Sequence, residues 1–201
     1  VSSCISIPLG ILSAVRAGKI TDHVSMFFAL LAVSIPNFWL GPLLVILFAL
    51  KLEWLPVSER GGIATYVLPG FSLGMPLAAA LSRMTRTTFL ENLGEDYVRT
   101  AKSKGQSFFN ILMTHVLRNA SLPLITVLGL QFGVQLTGAI ITERIFDWPG
   151  LGSLILEGIN NRDYPVVQGC ILMFSGTYLV VNLLTDLVCA WADPRIRLSG
   201  G

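Results

Sequence analysis

The chain has 201 residues, of which 53% are hydrophobic and 13% charged, and its mean hydropathy is +0.68. These values exclude an ordinary soluble protein and fit one domain lying mostly in lipid. The formal net charge of +2 is no sign of nucleic acid, which would require basic residues clustered on a soluble face.

A membrane-spanning helix needs about 20 mainly apolar residues, at about 1.5 Å rise each, to cross about 30 Å of hydrocarbon. Residues 1–15 are apolar but too few for this. They start without Met or a polar flank, so the segment is expected to be the tail of a helix whose start precedes Val1; a cleaved signal peptide would show a basic start and a small-residue site. Residues 24–50 form the first full span, interrupted by Pro36 and Pro42, with Trp39 in its middle beside Asn37. The second covers residues 66–81 with an extension to 90 and holds Pro69, Gly70, Gly74 and Pro76. The third, residues 116–141, holds Pro123, the GxxxG pair Gly129 and Gly133, and Gly138. Residues 165–190 are the fourth. Counting the short first segment, the expectation is an all-α polytopic membrane bundle of about five spans.

Proline kinks a helix, and membranes tolerate this where neighbours or water satisfy the freed carbonyls. Small residues let helices approach closely. Both features fit either generic packing or a bundle whose helices bend around a pathway. The polar span positions Asn37, Gln131, Gln135 and Thr137 either line such a pathway or make interhelical hydrogen bonds. Trp54, Trp148 and Trp191 fall at span ends, where interfacial anchors sit. Asp186, near the end of the last span with Asn182, reads as a snorkelling or structural contact rather than a proton relay.

The charges alternate between loops. Arg16 and Lys19, then Arg83, Arg86, Arg99, Lys102, Lys104 and Arg118, then Arg195 and Arg197 fall in alternate segments. The other two loops hold Lys51, Arg60, Arg144 and Arg162 against Glu53, Glu59, Glu143, Asp147, Glu157 and Asp163. Short loops rich in Lys and Arg stay cytoplasmic, which predicts a cytoplasmic C-terminus and places the loop at residues 91–110 in the cytoplasm and that at 143–165 outside.

The cytoplasmic loop contains ENLGEDYVRTAKSKG at residues 91–105. Leu90, Leu93, Tyr97, Ala101, Gly105, Phe108 and Leu112 recur at helical spacing, and Glu95, Asp96, Arg99, Lys102 and Ser103 mark the opposite face. Acids precede bases, matching the helix dipole, and Glu95 and Arg99 are placed for an i,i+4 pair. Gly94 and Gly105 bound the segment. The spacing predicts a short amphipathic helix over 95–104 and a second helix from about Ser107 back into the membrane. Such a helix either lies on the membrane surface or docks in a groove of another protein; its mixed-sign outer face favours docking.

In the external loop, FDWPGLG at 146–152 predicts a tight entry to a short helix over 153–159 with Leu154, Ile155 and Ile159 on one side. It reads as a gate or scoop, or as a plain surface loop. Cys4, Cys170 and Cys189 fall in apolar spans without a CxxC or Cys/His cluster, so neither a zinc site nor a disulfide framework is indicated. His23 and His115, at span edges, read as solvated or capping. No phosphate-cradling GxxxxGK[ST] loop, HExxH, GxSxG or positioned carboxylate pair is present, so the chain is not expected to be an enzyme or to bind a metal. An ion-coupled carrier or channel, the alternative transport class, would call for several ionisable groups in mid-span.

DYVRTAKSKG at 96–105, HVLRNASLP at 115–123, SIPNFW at 34–39, FDWPGLG at 146–152, RDYPVVQ at 162–168 and DPRIR at 193–197 resemble binding-protein-dependent ABC importer permeases, in particular the dipeptide/oligopeptide/nickel branch. The resemblance covers essentially the whole chain. It implies a type I importer permease fold over residues 1–201, with the family's first span absent. It further implies a second, homologous permease, two cytoplasmic ABC ATPases that bind ATP and Mg, an external substrate-binding protein, a plasma (inner) membrane location, and no cofactor in this chain. By position in the motifs, Asp96, Tyr97, Arg99, Thr100, Ala101, Lys102, Lys104 and Gly105 would couple to an ATPase, and Trp148, Pro149, Gly150, Gly152, Asp163 and Tyr164 would form the external gate. Where the wider family has Glu-Ala-Ala, this chain has Arg99, Thr100 and Ala101, so any salt bridge of that acid is replaced or reversed in sign. Its Leu122-Pro123 also falls five residues late for the wider family, which fits the peptide branch. The resemblance implies import of a peptide or a related solute such as a nickel chelate.

Overall fold

The computed structural model describes residues 2–57 and 62–192, with only the backbone described at positions 37, 137 and 138. The expectations on Glu59, Arg60 and the DPRIR segment, and on the side chains of Asn37 and Thr137, lie outside the described residues. Nine α-helices are described: α1 Ser2–Val15, α2 Ile20–Ser34, α3 Asn37–Leu44, α4 Val67–Gly94, α5 Asp96–Ser103, α6 Phe108–Asn110, α7 Leu117–Ile145, α8 Leu151–Asn160 and α9 Tyr164–Ala192. Wider, π-type winding extends α3 over Val45–Lys51 and joins α6 to α7 over Ile111–Val116.

Three helical segments among the described residues are long and apolar enough to cross a membrane: Ile63–Gly94, Phe108–Leu136 and Tyr164–Ala192. Together with one bent pair, they agree with the expected four full spans and a short apolar first segment, and add one difference of shape. The first full span is a broken pair, Ile20–Ser34 and Phe38–Lys51, bent by 106°. The cause is local: Pro36 drives Ile35 out of the helical region to φ −85°, ψ 118°, as a residue before proline prefers. With that pair counted as one span the total is four. The 14 residues of α1 give only about 21 Å of helix, short of the hydrocarbon thickness.

The hub is α4, which packs on α1, α2, α3 and α7, while α9 touches only α7 and α8 among the elements that pack extensively. Small side chains make the close approaches. A Cβ on Gly10 of α1 would stand 2.6 Å from the Ser82 carbonyl oxygen of α4. The GxxxG pair works in the same way: Gly129 lies under Thr185 and Gly133 under Tyr178, both on α9. The proline interruptions in α4 and α7 are absorbed without breaking either helix. Near Pro76, Gln135 Nε2 donates to the Leu73 carbonyl at 2.6 Å, so this glutamine is an interhelical bond between α7 and α4.

Buried side chains gather at both ends of the bundle. At one end Ala14, Phe89, Val98, Ala101, Ile111, Leu112, Val116, Ala120 and Leu124 form a single cluster. At the other, Leu40, Leu44, Leu68 and Phe146 form a second. The first joins α1, α4, α5 and α7; the second seats the α7–α8 turn.

Candidate functional site

The α5 end of the bundle carries the candidate site. Glu95, at φ −71°, ψ 153°, breaks the chain between α4 and α5. Gly105 ends α5 at φ 75°, where its N–H donates to the Lys102 carbonyl (2.9 Å) and the Gln106 N–H to the Ala101 carbonyl (3.3 Å). This is the paired closure of a Schellman cap, which needs a residue tolerant of the left-handed region. Ser107 Oγ then accepts from the Asn110 N–H at 3.3 Å and starts α6.

One face of α5 is locked to the bundle. Val98 is fully buried and Ala101 nearly so, and Tyr97 packs against the same cluster. Tyr97 Oη donates to Asn92 Oδ1 at 2.8 Å, and His115 Nε2 lies 3.1 Å from Gln106 Oε1. Val98 is the deepest residue of the helix and was not on the predicted apolar stripe; Gly105 and Phe108, which were, are exposed. The other face is free: Glu95, Asp96, Arg99, Thr100, Lys102, Ser103 and Lys104 are all exposed. The expected Glu95–Arg99 pair does not form. Arg99 instead meets Asp96 at 3.3 Å, with both side chains well solvated, so the contact adds at most a few tenths of a kcal/mol. The helix is thus held by its apolar edge and offers a ridge of both signs.

Beside it lies a pairing that the sequence does not announce. Arg86 of α4 makes a two-pronged contact with Asp22 of α2, Nε to Oδ1 at 2.6 Å and Nη2 to Oδ2 at 2.7 Å. Asp22 also accepts from Ser13 Oγ (2.5 Å) and from the Gly18 N–H (2.9 Å), and is 1% exposed. Asp22 and Arg86 are 64 residues apart, so no local signal marks the pair; by sequence Arg86 is one charge among a loop's basic residues.

At the opposite end, Glu143 Oε2 accepts from the Ser153 N–H (2.8 Å) and Oγ (3.2 Å), placing a carboxylate at the start of α8, where a helix dipole favours it. At Gly152 the Ile140 backbone occupies the space of a Cβ, and at Gly150 the Glu143 carboxylate does. Trp148 lies half-buried with its ring 4.9 Å from that of the exposed Tyr66. Asp163 Oδ1 accepts from the Val166 N–H at 3.2 Å and starts α9. Pro149 and Tyr164 are exposed. So α8 is half again longer than predicted, and Leu154 and Ile159 point outward while Gly152 and Gly158 face the bundle.

Gln135 is engaged with α4, Gln131 is half-buried, and a cleft of about 330 Å³ between α1, α2 and α4 is lined by neither. Asp186 is exposed on α9. Among the described residues, no group of three or more His, Cys, Asp or Glu side chains could hold a metal ion.

Residues 6–198 match the family described as binding-protein-dependent transport system inner membrane component. The glutathione transport system permease protein GsiC of Escherichia coli (strain K12) is 43% identical over 188 residues, covering 94% of this chain and 61% of the relative. The dipeptide transport system permease protein DppB of the same strain is 40% identical over 227 residues, covering 98% of this chain and 67% of the relative. The chain therefore spans about three fifths of the first relative's length. Among solved structures, a chain of the MetNI methionine ABC transporter, determined in inward-facing conformations, superposes with a TM-score of 0.74 over 96% of this chain and 88% of that one, at 16% identity. The fold of this chain is the type I ABC importer permease fold.

Proposed function

Because the chain belongs to the family of binding-protein-dependent transport system inner membrane components, we propose that it is a permease subunit of an ATP-driven importer of small peptides. The observation that carries the proposal is α5: a helix pinned by Val98 and Ala101, capped at Gly105, and presenting charged side chains outward on the far side of the bundle from α8. Such a helix is held firmly enough to pass a displacement into α4 and α7, and its free ridge is available to a soluble subunit.

In this reading the α5 end faces the cytoplasm, in keeping with its Lys and Arg content, and the C-terminus lies on the same side of the inner membrane. Asp96, Tyr97, Arg99, Thr100, Ala101, Lys102, Lys104 and Gly105 form the coupling segment. Of these, Asp96, Arg99, Lys102 and Lys104 meet an ATPase, while Tyr97, Ala101 and Gly105 hold the helix in place. ATP, with Mg, is bound and hydrolysed by two partner ATPases, and closing of that pair displaces α5. A displacement changes the access of the pathway only if α5 makes different contacts in the two states. A second permease completes the pathway, and an external binding protein delivers the solute near α8, whose gate is built from Trp148, Pro149, Gly150, Gly152, Asp163 and Tyr164. The glutathione and dipeptide systems of the two relatives favour a peptide cargo over a nickel chelate.

The test is uptake by the reconstituted complex. Proteoliposomes loaded with ATP and supplied with the binding protein should accumulate radiolabelled glutathione or a dipeptide and stop when hydrolysis is blocked. Uptake that ignores ATP and follows an imposed proton or sodium gradient would replace this reading with an ion-coupled carrier.

A further inference from the structure

The Asp22–Arg86 contact is more elaborate than a stray ion pair. Four hydrogen bonds converge on one carboxylate: two from Arg86, one from Ser13 Oγ and one from the Gly18 N–H. They come from three places, namely α4, the end of α1 and the α1–α2 turn. Gly18 sits at φ 75°, so the turn is shaped to aim its N–H at the carboxylate. An ion pair with its carboxylate buried is a weak source of net stability, because taking that charge from water costs about as much as the attraction returns, and its better-attested use is to fix a register. The pair also lies where a register matters. Arg86 is one turn from Phe89, which packs in the same cluster as Val98 and Ala101 of α5 and Ala14 of α1. Asp22 is in the first turn of α2, the helix that leads into the 106° bend at Pro36.

We propose that Asp22 and Arg86 are positioning residues that clamp α2 to the α1–α4–α5 unit, so that a displacement of α5 is passed on to the bent α2–α3 segment. Without the clamp, α2 rests on α4 chiefly through the alanines Ala29, Ala32 and Ala79 with Met75, a smooth contact along which helices can slide. This rests on the reading of α5 as the coupling segment.

The test compares wild type with the apolar pair Asp22→Leu/Arg86→Met in the assembled complex, reconstituted with its binding protein and probed with glutathione and a dipeptide. The readouts are assembly, ATP hydrolysis and peptide moved per ATP. An apolar pair of similar volume should preserve assembly, so a purely structural role predicts an unchanged ratio. The clamp predicts a ratio lower by about tenfold, within the usual range of a coupling free energy, with hydrolysis retained. Should the apolar pair fail to assemble, Arg86→Lys decides, since it keeps the charge but not the planar fork: the clamp predicts a clearly reduced ratio, and a wild-type ratio overturns it. A photocrosslink from Arg99 to an ATPase, taken in every variant, separates the two claims. If the crosslink forms and the ratio stays at the wild-type value, the clamp alone is wrong. If the wild type gives no crosslink, the reading of α5 falls and the clamp with it.

Discussion

At Gly152 a Cβ would stand 2.6 Å from the Ile140 Cα and 2.8 Å from Glu143 Oε2, and neither can move without disturbing the start of α8. Gly152→Ala should therefore cost about 1–3 kcal/mol, as overpacking does, and lower the melting temperature of the purified protein. Glu143→Ala should remove the cap on the Ser153 N–H and cost about 1 kcal/mol, with faster amide exchange confined to the first turn of α8. The Asp22–Arg86 pair behaves differently. Arg86→Ala strands a buried carboxylate and should cost about 3–5 kcal/mol, far more than removing both partners together; denaturation of the single and paired variants in detergent checks that order. Little of this was legible in the sequence. The FDWPGLG string announced a tight entry, but the reason for its glycines is a glutamate several residues upstream, and the ion pair joins residues that no periodicity connects.

For helices, legibility depended on local punctuation. The limits of α5 could be read because Gly94 and Gly105 flank it and Ser107 starts the next helix. Its charged face was also legible, whereas the buried edge is shifted toward Val98, because the helix packs on α4 and the 111–116 segment, contacts that spacing alone does not reveal. The break at Pro36 is local chemistry too, yet the sequence showed an interruption and not a near right angle. The two faces of α5 should respond in opposite ways. Val98→Ala should cost about 2 kcal/mol through lost burial and a small void and lower the melting temperature of the protein. Arg99→Ala should leave stability within about 0.5 kcal/mol, as exposed substitutions do, and instead reduce ATP hydrolysis stimulated by the binding protein in the reconstituted complex.

Across the whole molecule, composition was enough for an all-helical membrane bundle, and the structure sets its α5 and α8 at opposite ends. The order of packing was not legible. That α4 is the hub and α9 an outer helix follows from which glycines lie opposite which side chains, as with Gly10 under Thr85 and Gly133 under Tyr178, and one sequence does not pair them. The resulting body has a rigid α1–α4–α5 corner, a bent α2–α3 arm and an α8 cap at the far end. Its function as proposed requires that the rigid corner be pushed from outside the membrane by another protein. A photoreactive residue at Lys102, on the exposed ridge of α5, tests this in native membranes during ATP turnover. The account predicts an adduct with a nucleotide-binding subunit whose yield changes between nucleotide-free and ATP-trapped states. Adducts with lipid alone, the same in both states, would contradict it.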